Sequence, residues 1–143
     1  FAGIKDSSGD FQQFLRLKAA RDQMPFTLLV GNDVIFTRAR SAGADGVVSG
    51  VACAVPELML GLEDAIASSA AEKIQRLEAH LQEFISWLDR FPTPVGVREA
   101  VALRGLKVGP AAAPVGPRGE RELGEFREWF RGWLPEVRKD AQL

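Results

Sequence analysis

The sequence predicts an α/β fold built on parallel strands, followed by a segment that is helical throughout. Three observations carry this reading. Short apolar runs at 1–4, 26–30 and 47–49 alternate with stretches of helical periodicity. The run Phe26-Thr27-Leu28-Leu29-Val30 is continuously apolar, as in a parallel strand covered on both faces. Beyond residue 70 no strand pattern recurs. Strands separated by single helices imply parallel pairing with right-handed crossovers.

Taken in order, Phe1-Ala2-Gly3-Ile4 reads as a strand ending at Lys5, and Asp6-Ser7-Ser8-Gly9-Asp10 as the turn after it. Phe11, Phe14, Leu15 and Leu17 fall at helical spacing, with Asp10 placed to cap the helix and Pro25 to stop it. The second strand, 26–30, runs into the turn Gly31-Asn32-Asp33 and a helix over 34–41, for which Asp33 is a candidate N-cap. Gly43-Ala44-Asp45-Gly46 leads to a third strand at 47–49. A helix over 56–70 follows, with Pro56 suited to its first turn. Ile74, Leu77, Leu81, Phe84, Ile85 and Leu88 repeat near every 3.6 residues, so 72–90 is an amphipathic helix. Phe91-Pro92-Thr93-Pro94 breaks it, and 95–106 is a further helix closed by Gly105. Prolines and glycines make 108–119 a loop. Leu123, Phe126, Trp129, Phe130, Trp133 and Leu134 mark a last helix with a broad aromatic face.

Composition excludes several classes. With 46% apolar and 26% charged residues the chain is that of a globular protein, not a disordered one. A net charge of −1 gives no basic footprint for nucleic acid or an anionic membrane. No apolar run reaches the length of a membrane span. The single Cys53 precludes an internal disulfide and suits a reducing, cytoplasmic compartment; it is expected to be a small buried hydrophobe. His80 has no second histidine or cysteine beside it, so no metal site is expected. No G-x-G-x-x-G follows a strand, and no cofactor is called for. Trp87, Trp129 and Trp133 sit at helical apolar spacing, as core or subunit contacts would.

Lys5 is the candidate catalytic residue. A lysine at the carboxyl end of a buried parallel strand points to the rim where α/β folds place their sites. Desolvation there disfavours the ammonium and leaves an amine able to attack a carbonyl. Two other segments end strands on the same rim, Gly31-Asn32-Asp33 and Val48-Ser49-Gly50. Together they offer glycine backbone, an amide, a carboxylate and a hydroxyl to a small, oxygen-rich anion. Ordinary turn chemistry is the competing reading of each.

Residues 3–10, GIKDSSGD, resemble the Schiff-base strand of the dihydrodipicolinate synthase / N-acetylneuraminate lyase family, whose usual form is G-[IV]-K-x-[AST]-[ST]-G-D. Gly31-Asn32-Asp33 resembles that family's G-x-[DE] after the seventh strand, and residues 43–50, GADGVVSG, its eighth strand. The tail from Pro94 to Pro110 is similar to its C-terminal helical segment.

The resemblance implies the C-terminal part of a (β/α)8 TIM barrel, strands six to eight over 1–70, followed by a three-helix segment over 71–143. It implies a class I aldolase or dehydratase, a carbon–carbon or carbon–oxygen lyase. Lys5 would form an imine with pyruvate or a hydroxylated, sugar-derived 2-keto acid. Gly31 would lie beside the substrate, and the backbone around Val48 would help hold its carboxylate. Ser7, Asn32, Asp33, Ser49 and Gly50 complete the expected binding set. Ser7 stands where synthases of the family usually have Ala, and Cys53 where many have Asn. Both departures favour a hydroxylated keto acid over lysine biosynthesis. The family's carboxylate-binding hydroxyl pair and its tyrosine relay belong to earlier strands, and this sequence has no tyrosine. The 143 residues alone are therefore expected to be inactive or nearly so, and to associate through an open sheet. The parent is expected to be a homo-oligomer, dimer or tetramer. The alternatives are a dihydrodipicolinate synthase, a non-catalytic small-molecule-binding domain on the same scaffold, or a structural half-barrel that joins a separate chain.

Overall fold

The three strands of the described residues pair in parallel, side by side in chain order. A computed structural model describes residues 2–111 and 114–142. Strand β1 (Gly3–Asp6) extends one residue past Lys5, while Phe1, expected at its start, lies outside the described residues. Helix α1 (Phe11–Gln23) follows, and the Asp10 side chain caps it by accepting from Gln12 N at 2.8 Å, as expected. Strand β2 (Thr27–Val30) leads through a 3-10 turn (Asp33–Ile35) into α2 (Phe36–Ser41). Ile4 pairs with Leu28 and Lys5 with Leu29; Val30 pairs with Val47.

Strand β3 is only Gly46–Val47, shorter than the expected 47–49. The chain is diverted into a short helix, α3 (Val51–Ala54), which the apolar run alone does not announce. Ser49 Oγ accepts from Ala52 N at 2.9 Å, a capping bond that turns the backbone out of the sheet. Helix α4 (Pro56–Ala67) begins on Pro56 as expected and stops short of residue 70. The Ser68 hydroxyl donates to Asp64 O and Ser69 adopts φ 56°, which closes the helix there.

Three further helices follow: α5 (Ala71–Leu88), α6 (Val95–Leu103) and α7 (Pro117–Asp140). The expected loop over 108–119 ends earlier, because Pro117 occupies the first turn of α7, where its missing N–H costs nothing. Of that loop, residues 112 and 113 lie outside the described residues. Helix α7 also continues through Pro135, beyond the aromatic stripe that predicts it.

Two apolar cores result. Phe14, Leu28, Val30, Ile35 and Ala39 pack α1 and α2 on one face of the sheet. The larger core joins α3 to α7 around Phe84, whose ring lies within 6.3 Å of those of Phe126, Trp129, Phe130 and Trp133. Trp133 is buried, while Trp87 and Trp129 are half-buried at its edge.

Glu57, in the first turn of α4, ties three parts of this helical layer together. Arg104, just after α6, donates to it at 2.8 Å, and Arg138 of α7 at 2.9 Å. Burial opposes the charge on Glu57, but hydrogen bonds from Arg104, from its own backbone N–H and from Arg138 outweigh it, so its carboxyl is held below the ordinary range. A carboxyl lowered by folding contributes stability that is present above its unfolded range and lost as pH falls through its folded value. Glu57→Gln should therefore cost about 1–3 kcal/mol at neutral pH. Urea melts of the whole protein at neutral pH and at about pH 3 should show the deficit shrinking with acid. A deficit equal at both pH values would remove the carboxylate charge from this account.

Candidate active site

The geometry of the rim follows from strand periodicity. Side chains alternate along β1 and β2, and paired residues of parallel strands point the same way. Leu28 and Val30 are buried under α1 and α2. Their neighbour Leu29, and with it Lys5, therefore faces the opposite side of the sheet. Two residues further, Ser7 and Gly31 continue that same side past the strand ends. The ladder persists between them, with Gly31 N donating to Asp6 O at 2.7 Å.

The consequence is a close convergence. A Cβ built on Gly31 would overlap both Lys5 Cε and Ser7 Oγ, and would lie 3.1 Å from Ser7 Cβ. Glycine at 31 is thus required by space, not by backbone angle: the lysine arm and the serine hydroxyl occupy the volume a side chain would fill. Lys5 itself is exposed, as is most of β1. Among the described residues β1 is paired on one side only, by β2.

The turn that presents Ser7 is held from below. Asp6 accepts from Ser8 N and Ser8 Oγ, both at 3.0 Å, and Ser8 Oγ accepts from Asp10 N at 3.1 Å. Asp6 and Ser8 are thereby committed to the turn, and Ser7 is the hydroxyl left on the open side. Gly9 closes the turn at φ 71°, and a Cβ there would press on Asn32 Nδ2 at 2.7 Å. Sequence reasoning missed this contact between the first and second rim segments; the glycine of the GIKDSSGD motif is its only sequence signal.

The other candidates divide by what their side chains do. Asn32, rather than Asp33, caps the 3-10 turn, accepting from Val34 N at 2.9 Å. Asp33 reaches sideways, its Oδ2 accepting from Val51 N at 3.3 Å, while its Oδ1 is buried with no hydrogen-bond partner among the described residues. The Ser49 hydroxyl accepts from Ala52 N, so its lone pairs serve α3 as well as the rim. Val48 is 47% exposed, and its N–H donates to Val30 O at 2.8 Å. Gly50 opens α3. Cys53, expected to be buried, is exposed, with Sγ 3.6 Å from Ser49 O; the four-residue helix turns it outward while Val51 and Ala54 face the core.

A cleft of about 420 Å³ opens between this rim and the junction of α5 with α6, lined by Gly31, Asn32, Asp33, Val51, Leu88 and Pro94 among others. Neither Lys5 nor Ser7 lines it. It lies beside the point where Lys5 and Ser7 converge on Gly31.

A parallel sheet with a lysine and a hydroxyl converging on bare glycine backbone at its carboxyl rim defines an α/β protein, and that rim is where such folds place their sites. Comparison with known proteins makes the class specific. The chain belongs to the dihydrodipicolinate synthetase family, whose model matches residues 1–131. It is 33% identical over 114 residues to an uncharacterized DapA-like lyase of Halobacterium salinarum, covering 80% of this chain and 37% of that protein. It is 27% identical over 126 residues to the 4-hydroxy-tetrahydrodipicolinate synthase of Methanoculleus marisnigri, covering 88% and 43%. Among solved structures, a dihydrodipicolinate synthase from Bacteroides thetaiotaomicron matches 91% of the chain with a TM-score of 0.79 and 27% identity, over 46% of its own length. A variant of the 2-keto-3-deoxygluconate aldolase of Sulfolobus solfataricus matches the whole chain with a TM-score of 0.83, over 49% of its length; at 21% identity that likeness concerns the fold. The chain thus spans less than half the length of the proteins it matches.

Proposed function

We propose that the whole protein is a Schiff-base lyase in which Lys5 forms an imine with pyruvate or a hydroxylated 2-keto acid. The carrying observation is the overlap at Gly31, where a lysine arm, a serine hydroxyl and backbone without a side chain meet on one side of the sheet. In this reading residues 1–70 supply the sixth, seventh and eighth strands of a (β/α)8 barrel, and 71–143 the helical segment after it. Family membership and the half-length match to its members support that placement.

The chemistry follows from the amine. Lys5 Nζ attacks the C2 carbonyl, water leaves, and the protonated imine draws electrons from the adjacent carbon as a carbon–carbon or carbon–oxygen bond breaks or forms. The Val48 backbone and Gly31 bind the substrate's oxygen atoms, and Ser7 takes a substrate hydroxyl. Borohydride treatment of the whole protein with pyruvate should leave a reduced adduct on the peptide carrying Lys5. Trapping elsewhere, or none at all, would overturn the assignment.

A dihydrodipicolinate synthase is the second reading, favoured by several relatives that are 4-hydroxy-tetrahydrodipicolinate synthases, the Methanoculleus marisnigri protein among them. Ser7 separates the two. Ser7→Ala should slow turnover of hydroxylated 2-keto acids by about 2- to 12-fold, the equivalent of 0.5–1.5 kcal/mol, while imine formation with pyruvate changes little. Equal losses in both assays would reduce Ser7 to a turn residue.

A further inference from the structure

The turn that carries Ser7 is joined to the second rim segment at two places. The nearer is the last ladder bond, in which Gly31 N donates to Asp6 O at 2.7 Å. The farther is at Gly9, where φ is 71°. A Cβ there would fall 2.7 Å from Asn32 Nδ2 and 3.4 Å from Asn32 Cγ, so the side-chain amide lies directly against the bare backbone of Gly9. Ser7 is between these two ties, its hydroxyl over Gly31.

The other bonds of the turn do not reach β2 or the segment after it. Ser8 N and Ser8 Oγ donate to Asp6, and Asp10 N donates to Ser8 Oγ. Asp10 in turn accepts from Gln12 N and, through its carbonyl, from Phe14 N, with Arg16 3.6 Å from its carboxylate. These bonds shape the turn and join it to α1. Helix α1 is anchored further on, where Phe14 packs with Leu28 and Val30. On the far side of Ser7, the contact of Gly9 with Asn32 is therefore the nearest tie to the rim.

Asn32 is itself held for this contact. Its Oδ1 accepts from Val34 N at 2.9 Å, and since only the oxygen of an amide can accept, the NH2 group is turned to Gly9. One side chain thus caps the 3-10 turn and wedges the neighbouring turn. Serine or aspartate would cap as well, but serine is too short to do both.

We infer that Asn32 is a positioning residue: its amide, lodged against Gly9, holds the Ser7 turn over Gly31 and so fixes where the Ser7 hydroxyl meets the substrate. This rests on the reading in which Lys5 forms the imine and Ser7 takes a substrate hydroxyl. Without the wedge, the turn keeps its internal bonds and its ladder bond but gains freedom beyond Ser7, and a hydroxyl free to wander binds less well. The loss is bounded by that of deleting the hydroxyl. The amine of Lys5, on the strand before the turn, is affected less.

The whole protein is tested in two assays, turnover of a polyhydroxylated 2-keto acid and borohydride trapping of pyruvate at Lys5. Asn32→Ser keeps a side-chain oxygen for Val34 N but takes the amide away from Gly9. It should slow the first by about 2- to 12-fold, no more than Ser7→Ala does, and the second by much less. In a Ser7→Ala background the same change should cost nothing further, because the hydroxyl that it places is already gone. Asn32→Asp keeps both the cap and the bulk against Gly9. Each substrate carries a carboxylate, so the effect of the added charge cancels between the assays and the parent's preference should be retained. Additive losses in the double variant, equal losses in both assays, or an Asn32→Asp protein as indiscriminate as Asn32→Ser would each overturn the inference. So would an Asn32→Ser protein that behaves as the parent does. A parent that traps pyruvate yet turns over no hydroxylated acid would remove the substrate contact of Ser7, and the inference with it. A parent that traps no pyruvate would overturn the Schiff-base reading and the inference together, whereas the other outcomes leave that reading standing.

Discussion

Lys5→Ala is expected to abolish trapping of 2-keto acids and to lower turnover by at least about a thousandfold, because a covalent route cannot proceed without its nucleophile. The same substitution should hardly alter stability. Lys5 is exposed and makes no hydrogen bond or ion pair among the described residues, and substitutions that leave no partner unsatisfied usually shift stability by no more than about 0.5 kcal/mol. The two readouts together identify the residue: a large kinetic loss with an unchanged melt assigns the chemistry to the amine. Thermal melts and borohydride trapping with peptide mapping would be run on the same preparation. Residual trapping on the Lys5 peptide region in the variant, or a melt lowered by several degrees, would contradict this account.

Gly31→Ala should be nearly as damaging to activity, for a different reason. The added methyl would take the space of Lys5 Cε and Ser7 Oγ, so both side chains must swing away from the rim. Each is the far end of a rotatable side chain, and residue 31 is not at a backbone angle that demands glycine, so the fold can absorb the change. The site cannot. Displacement of a reacting group by about 1 Å costs on the order of a hundredfold in rate, and here two groups move together. Imine formation should fall by at least that factor, with a stability loss in the range of about 1–3 kcal/mol expected of overpacking. Restoring room by combining Gly31→Ala with Ser7→Gly should recover part of the trapping. An unimpaired Gly31→Ala would mean that the lysine reacts from another position.

The order of elements was readable in the sequence because each depends on residues a few positions apart. Helix α1 needs only its 3.6-residue repeat, the cap at Asp10 and the stop before Pro25. Helix α5 shows its stripe of Ile74, Leu77, Leu81 and Phe84 in the same way, and Pro56 begins α4 where a proline is tolerated. Strand β2 declares itself by an unbroken apolar run. Boundaries were less legible where a side chain competes with the ladder: Ser49 capping Ala52 ends β3 two residues early, and nothing in Val51–Val55 distinguishes a short helix from a strand.

The candidate site divides along the same line. That Lys5, Ser7 and Gly31 belong to one rim follows from parallel strands and a two-residue period, both of which local pattern supplies. That Gly31 leaves room for the other two depends on the register Lys5–Leu29, which sets residues 24 positions apart side by side. The partner of Asp33 is Val51, and the partners of Glu57 are Arg104 and Arg138; no local spacing points to any of them. Cys53 lies in an apolar run and still faces outward, because the hand of a four-residue helix decides which of Val51, Cys53 and Ala54 meets the core. Local propensity and periodicity act through neighbours within a turn of helix or a pair of strand residues, so they are written in the chain. Which strand ends meet, and which side chains are left on the open face, depends on close packing between distant segments, and that is settled only when the chain folds.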